Sequence, residues 1–428
     1  MSQAQVASAH QVAPAAPSPD VAPKRIESID TLRGLTILVM IFVNDLAGVK
    51  EAPPWMKHVF PHDADGMTFV DVVFPAFLFI VGMSIPFGVG RRLERGEPLS
   101  KVWRHILTRT LELLAIGVLM VNGDTMAEGG ILSPPVWNLL MYVGVILVWN
   151  VLPRTQKNRK AAVALRAVGA ALLFALAVLY HGRGHPGFIE LRPQWWGVLG
   201  LIGWAYLVAC TTYIAFRRHI AGVIGMSALL YCVFIANSAG RFATLTWITR
   251  WVDIGSMLGS YAALVVSGVA LGMILTPSSE IQSHRERIRW GIVYGFALAA
   301  AGYLLHSGHE IHRMFIINKI FATPPWCLWS AAITIWFWLA IYYLMDVRGW
   351  KRWATPVEPA GQNALLAYVL APLLYALFGI LASVGPGLNF YERLGTTFAV
   401  GFWRSVVFAF GVTWLAGALR RMNLQLRL

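Results

Sequence analysis

Twelve apolar stretches recur along the 428-residue chain, each near the roughly 20 residues that carry a helix across a hydrocarbon layer. They fall at about 32–49, 68–90, 102–121, 134–152, 161–180, 194–216, 219–237, 257–276, 288–306, 325–346, 361–384 and 397–419. Lipid offers no partner to an unpaired backbone N–H or C=O, so an open chain crosses it only as helices. The expected fold is therefore all-α, a polytopic membrane bundle of 11–12 transmembrane helices. Eleven is the count if one of the runs flanking Arg217 and Arg218 does not cross. With 57% hydrophobic and only 13% charged residues, the chain lies far from the roughly one-quarter charged composition of soluble domains.

The formal net charge of +14 would suit a nucleic-acid partner, but the basic residues sit in short clusters between apolar runs, as they do beside a membrane. No nucleic acid is expected. Of the 35 Lys and Arg, 24 lie in or next to the N-terminal segment, the alternate loops and the C-terminal segment, four of them in the first turns of the adjoining runs, against 9 in the other loops. Arg109 and Arg404 fall inside runs. This bias places both termini in the cytoplasm and the loop between the first two runs outside. Residues 1–23, rich in Ala, Pro, Ser and Gln, read as a disordered cytoplasmic tail and not as a signal peptide. One transmembrane domain is expected over 24–428. Cys210, Cys232 and Cys327 lie in or at the edge of apolar runs with no metal-like spacing, so they read as packing residues.

The chemistry-bearing residues concentrate between Asn44 and Ser84. There a short loop carries His58, His62, Asp63 and Asp65, and Asp71 enters the next apolar run almost at once. An ionisable group at membrane depth is costly and therefore a functional candidate; plain solvation accounts for the loop residues equally well. A second outward loop, HSGHEIHRMFIINKIFATPPW, offers His306, His309, Glu310, His312, Asn318 and Lys319. His309 and His312 share a helical face, but the HExxH order and a clear third ligand are missing, so no metal is expected. His181, His185, Glu190 and Arg192 in a third outward loop read as solvated. Within the runs, Asn44 and Asp45 end the first, Arg109 and Glu112 stand at i, i+3 and can pair, and Asn363 opens the eleventh, where bridging helices is the simplest role. No GxSxG, Walker A or CxxC framework appears, so any chemistry belongs to the membrane-embedded and outward polar groups.

Five runs together carry a family likeness: RIESIDTLRGLTILVMIFVND (25–45), DGMTFVDVVFPAFLFIVGMSIP (65–86), ILTRTLELLAIG (106–117), INKIFATPPWCLW (317–329) and GQNALLAYVL (361–370). The chain resembles the heparan-α-glucosaminide N-acetyltransferase family, in its bacterial branch of membrane acyltransferase-like proteins of the DUF5009 type. The resemblance implies a bundle of about eleven helices and a tendency to homodimerise. It implies acetyl-CoA as cytosolic acyl donor, an amino sugar or glycan acceptor on the periplasmic side, and a bacterial inner-membrane location among lipid. It puts the functional histidine just before Gly66, Thr68 and Asp71, at His58 or His62; the W-x-K-H run favours His58. It maps the family's asparagine at the end of span 1 to Asn44. Where family members carry GVLQR in span 4, this chain reads VWNLLMYVGVIL.

Elementary chemistry fits those residues. Transfer to an amine needs a group that takes its proton, and an imidazole, with an ordinary pKa of about 6.5, can do so at neutral pH. Alternatively, the imidazole takes the acetyl group first. Asn44 is a suitable oxyanion donor. Asp71 or Asp65 can orient the ring. Asp65, Asn318, Lys319 and Asn363 are candidate acceptor contacts. Arg91, Arg92, Arg95, Arg104 and Arg109 can hold CoA phosphates, although each also fits a purely topological role. Two other classes fit twelve spans: a secondary transporter, which should show an internal repeat that is absent here, and a non-catalytic partner in glycan modification.

The topology is open to test. A membrane-impermeant thiol reagent added from outside should label Asp63→Cys and miss Glu94→Cys; the reverse pattern would invert the orientation.

Overall fold

The computed structural model describes residues 26–152, 156–182 and 190–426. The tail expected over 1–23 and the candidate His185 lie outside the described residues. Each of the twelve apolar runs corresponds to a helix. These are α1 (Glu27–Leu46), α2 (Phe69–Ile85), α3 (Leu99–Asp124), α4 (Pro134–Trp149), α5 (Gln156–Val178) and α6 (Val198–Phe216). There follow α7 (Ile220–Ser238), α8 (Tyr261–Leu275), α9 (His284–His306), α10 (Pro324–Tyr342), α11 (Ala364–Val384) and α12 (Phe398–Arg421). Ten helices among the described residues are long and apolar enough to cross a membrane. The two others are α4, with 16 residues, and α1, whose apolar face is interrupted by Glu27, Asp30, Arg33 and Asp45. The runs on either side of Arg217 and Arg218 form two separate helices. The chain is a multi-pass helical membrane protein.

Local chemistry sets the helix starts. Pro134 and Pro324 open α4 and α10, where a missing N–H costs nothing. Thr68 and Asp71 form a reciprocal capping box at the start of α2. That cap fixes Asp71 in the first turn of α2, at the boundary between helix and loop.

α8 is the hub. Within Ile254–Leu275, 89% of its spanning window is buried in protein, against 11% for α5, which lies at the rim. α2 packs along α8, α3 along α6, α9 along α10 and α4 along α5. Apolar helices gain no hydrophobic drive from lipid, so close backbone approach decides which pairs associate. Gly82 and Gly268 permit it at the α2–α8 crossing: a Cβ on Gly268 would run into the Phe79 carbonyl, and one on Gly82 into the Val265 carbonyl.

Because the obstacle at Gly268 is backbone, Gly268→Leu should cost at least the 1–3 kcal/mol or so typical of overpacking. The expected readout is a lowered thermal midpoint in detergent. An unchanged midpoint would mean that the α2–α8 contact does not hold the bundle.

Candidate active site

Two loops at the same end of the bundle are laced together. The segment between α1 and α2 meets the segment between α9 and α10. The Gly66 amide donates to the Ile317 carbonyl at 2.8 Å, and the Ile317 amide donates to Asp65 Oδ1 at 2.8 Å. Asp65 Oδ2 also lies 2.7 Å from His306 Nε2. The buried Asn318 amide donates to the carbonyls of His62 and Ala64, both at 2.9 Å, while its oxygen accepts from the Phe321 amide at 3.0 Å. Asp65 and Asn318 thus serve as loop-to-loop links. They set the position of their neighbours Gly66 and Lys319.

The link brings three side chains together. His58 Nδ1 lies 2.6 Å from Asp71 Oδ1. The other Asp71 oxygen accepts from the Thr68 amide at 3.0 Å, the Thr68 hydroxyl at 3.3 Å and the Val59 amide at 3.3 Å. The Thr68 hydroxyl also donates to the Lys57 carbonyl at 2.7 Å, and Trp326 donates its indole N–H to the Asp71 carbonyl at 3.2 Å. Asp71 is almost fully buried, whereas the His58 side chain is 41% exposed. The carboxylate therefore faces the protein and the imidazole faces solvent. Lys319 Nζ sits against the ring, 3.0 Å from Nε2 and 3.2 Å from Nδ1. Burial draws the pKa of Lys319 below the usual lysine range, and the Asp71 charge only partly counters this.

With Asp71 accepting the Nδ1 proton, the lone pair of His58 is left on Nε2, beside a lysine ammonium. Such a triad can take a proton at Nε2 and offer a cation to negative charge developing next to it. His62 lies outside it. His62 is exposed, its ring edge-on to Phe60 at 5.6 Å. Beyond the His309 contact with the His306 carbonyl at 3.0 Å and the His312 bond from the Met314 amide at 3.1 Å, no three potential ligands converge for a metal among the described residues.

Asn44 is exposed at the end of α1, on the wall of a different cavity of about 630 Å³ that includes Lys50, Tyr375, Tyr391 and Arg404 but not His58. Beside it, the buried Asp45 carboxylate accepts from Tyr375 at 3.0 Å, Tyr391 at 2.5 Å, Arg404 at 3.0 Å and Ser405 at 2.6 Å. That cage ties the end of α1 to the helices at the far end of the chain. An acid within an apolar run was visible in the sequence, but its partners, 330 or more positions away, were not.

A second cavity of about 630 Å³ opens on the opposite end of the bundle. Arg91, Arg92, Arg95 and Arg109 line it, while Arg104 is not on its wall. His105, Arg33, Ser84 and Tyr206 join the wall without having been singled out in the sequence. Arg33 donates to Ser84 at 2.7 Å, and Arg109 stacks over the Tyr206 ring at 4.9 Å where the sequence suggested a pair with Glu112. Asn363 also borders this cavity, but its amide bridges to the Leu424 carbonyl at 3.1 Å and the Leu426 amide at 3.2 Å. The wall also includes Met40 and Phe77. Phe77 stands six residues beyond Asp71 on α2, about 9 Å along the axis.

Fold and site together define a multi-pass membrane protein with a His–Asp–Lys constellation at one end and a cationic cavity at the other. Residues 25–258, more than half the chain, match the family described as Domain of unknown function (DUF5009), and the chain belongs to that family. It is 30% identical over 377 residues to heparan-alpha-glucosaminide N-acetyltransferase of Homo sapiens, across 81% of this chain and 52% of the human protein. The protein of the same name from Mus musculus is 35% identical over 123 residues, across 28% of this chain and 17% of the mouse protein. The chain therefore spans about half the length of the human relative. His58, Asp71 and the cavity arginines fall within the family match, whereas Lys319 falls beyond it.

Lys319 generates a pH test. Its lowered pKa means its charge is lost, as pH rises, earlier than that of an ordinary lysine. Lys319→Arg keeps the cation and should move the alkaline limb of any activity to higher pH, while Lys319→Met should cost about 10²–10³-fold. Superimposable pH profiles for wild type and Lys319→Arg would remove the ammonium from the chemistry.

Proposed function

We propose that the chain is a membrane-bound acyltransferase that moves an acetyl group from cytoplasmic acetyl-CoA to an amino sugar or glycan on the periplasmic face of a bacterial inner membrane, with residues 24–428 acting as one domain. The observation that carries this reading is the His58 ring held between Asp71 and Lys319, 2.6 Å and 3.0 Å away. The names of the human and mouse relatives and the cationic cavity lend support from independent directions.

Acetyl-CoA, when bound, supplies an activated thioester. The acceptor amine or hydroxyl attacks the acyl carbon; a new C–N or C–O bond forms as the C–S bond breaks. His58 takes the acceptor's proton at Nε2 and returns it to the departing thiolate. Asp71 holds the tautomer that makes this possible and offsets the charge on the ring. Lys319 donates to the negative charge as it develops. The donor's phosphates suit the cavity at the opposite end, where Arg91, Arg95 and Arg109 supply positive charge within one wall and Arg92 is paired with Glu97 at 3.0 Å. The basic bias of the loops on that side supports its facing the cytoplasm. Asn44, on the wall of the separate cavity with Tyr375, Tyr391 and Arg404, is given no part in this step.

His58→Ala should abolish transfer in purified protein while leaving stabilisation by acetyl-CoA intact, because Asp71 keeps the Thr68 and Val59 amide donors when the ring is removed. His62→Ala should be milder. Asp71→Asn should lower the rate on the order of 10²–10⁴-fold. Charge reversal at Arg91, Arg92 or Arg95 should weaken donor binding. Full transfer by a His58→Ala, His62→Ala double variant would overturn the assignment of the chemistry to this loop.

A further inference from the structure

The three helices around the His58 site leave a third cavity of about 480 Å³ between α1, α2 and α10. Its lining differs from those of the other two cavities. It contains no charged residue, and aliphatic and aromatic side chains form nearly all of it. Its three hydroxyls are turned to other partners. Thr36 donates to the Leu32 carbonyl at 2.8 Å, Thr334 to the Ser330 carbonyl at 2.7 Å and Thr68 to the Lys57 carbonyl at 2.7 Å. Such a wall offers nothing to a sugar or a nucleotide and suits a hydrocarbon chain.

The position of the groove is as telling as its chemistry. One end is Thr68, whose amide and hydroxyl both contact Asp71. From there it follows α2 to Ala76, about 12 Å along the axis, and reaches Leu32 on α1. Phe69 and Phe337 border it and are 40% and 49% exposed, so the groove opens where a bundle of apolar helices meets lipid. A chain lying in it would end beside Thr68, which bonds the carboxylate that holds His58.

We propose that this groove seats the hydrocarbon tail of a lipid-linked amino sugar, whose head group is thereby presented to Nε2 of His58. The inference rests on the acyl-transfer reading and names its acceptor class: a membrane-anchored glycolipid in place of a free saccharide. Anchoring makes the encounter two-dimensional and fixes the head near the ring, so part of the orientation cost is met by the tail.

The test uses a dodecyl glucosaminide carrying a diazirine in its alkyl chain, with the full-length protein in nanodiscs of phosphatidylethanolamine and phosphatidylglycerol. Illumination should label peptides within 32–39, 69–76 and 333–337. Labelling should saturate, and unlabelled dodecyl glucosaminide should compete it away where added phosphatidylethanolamine does not. Ala76→Phe fills the groove and should reduce labelling about tenfold or more. Val39→Phe, at a second wall, should do the same if Ala76→Phe fails to elute as a monodisperse helical protein. Equal competition by phosphatidylethanolamine, or undiminished labelling in both filled variants, would mean that bulk lipid alone occupies the groove, and the proposal falls. Saturable labelling of the groove by a probe that is never acetylated would leave the glycolipid site standing and sink the acyl-transfer reading. Acetylation of the probe without saturable labelling would do the opposite.

Discussion

The arrangement depends on one buried carboxylate. Asp71 sits in the first turn of α2, almost out of solvent, where an unpaired charge would be prohibitively costly. Every group that answers it comes from outside the span: the Thr68 cap, the Val59 amide and His58. Satisfying Asp71 therefore folds residues 57–68 back over the end of the helix and pins the imidazole with one nitrogen inward and one outward. The second loop follows from the first. Asp65 and Asn318 lace the segments together, and lacing them brings Lys319 to the ring. A structural demand at the membrane boundary and the proposed catalytic arrangement are met by the same bonds.

The other end of the bundle has the opposite character. Arginines crowd a cavity whose wall also includes Met40 and Phe77, and α2 runs from that cavity to Asp71. One helix thus connects a site suited to polyphosphate with a site suited to proton transfer. The proposed transfer, with acyl donor and acceptor on different sides of a membrane, asks for this geometry, whereas a soluble transferase binds both in one cleft.

Much of this was legible in the sequence, for physical reasons that differ by residue. The helices follow from run length alone, because lipid leaves a spanning segment no other conformation. His58 and Asp71 were visible as ionisable groups where an apolar run begins. Lys319 was visible only as a contact: its place on the ring depends on two loops, 261 positions apart, whose pairing no local pattern encodes. Asn44 was read beside His58, yet α1 carries it to the separate wall with Tyr375 and Tyr391, since one residue of helical rotation decides which way a side chain at a helix end faces. The Asp45 cage, closed by Arg404 and two tyrosines from the end of the chain, was illegible for the same reason as Lys319. Arg91, Arg92 and Arg95 were legible as a charge cluster and Arg109 as a charge inside an apolar run, and the four share one cavity wall; Arg104 is not on that wall, because clustering alone does not sort a topological charge from one that lines a cavity.

In the proposed reaction, donor and acceptor meet across the bundle, with His58 on the far side from the donor's entry. The most direct measurement uses proteoliposomes of defined orientation, with acetyl-CoA confined to the side bearing Arg91, Arg92 and Arg95 and an amino-sugar acceptor confined to the other. Acetylated acceptor is expected in the compartment that never held acetyl-CoA, and none with His58→Ala. Product formed only when donor and acceptor share one compartment would contradict the proposed reaction.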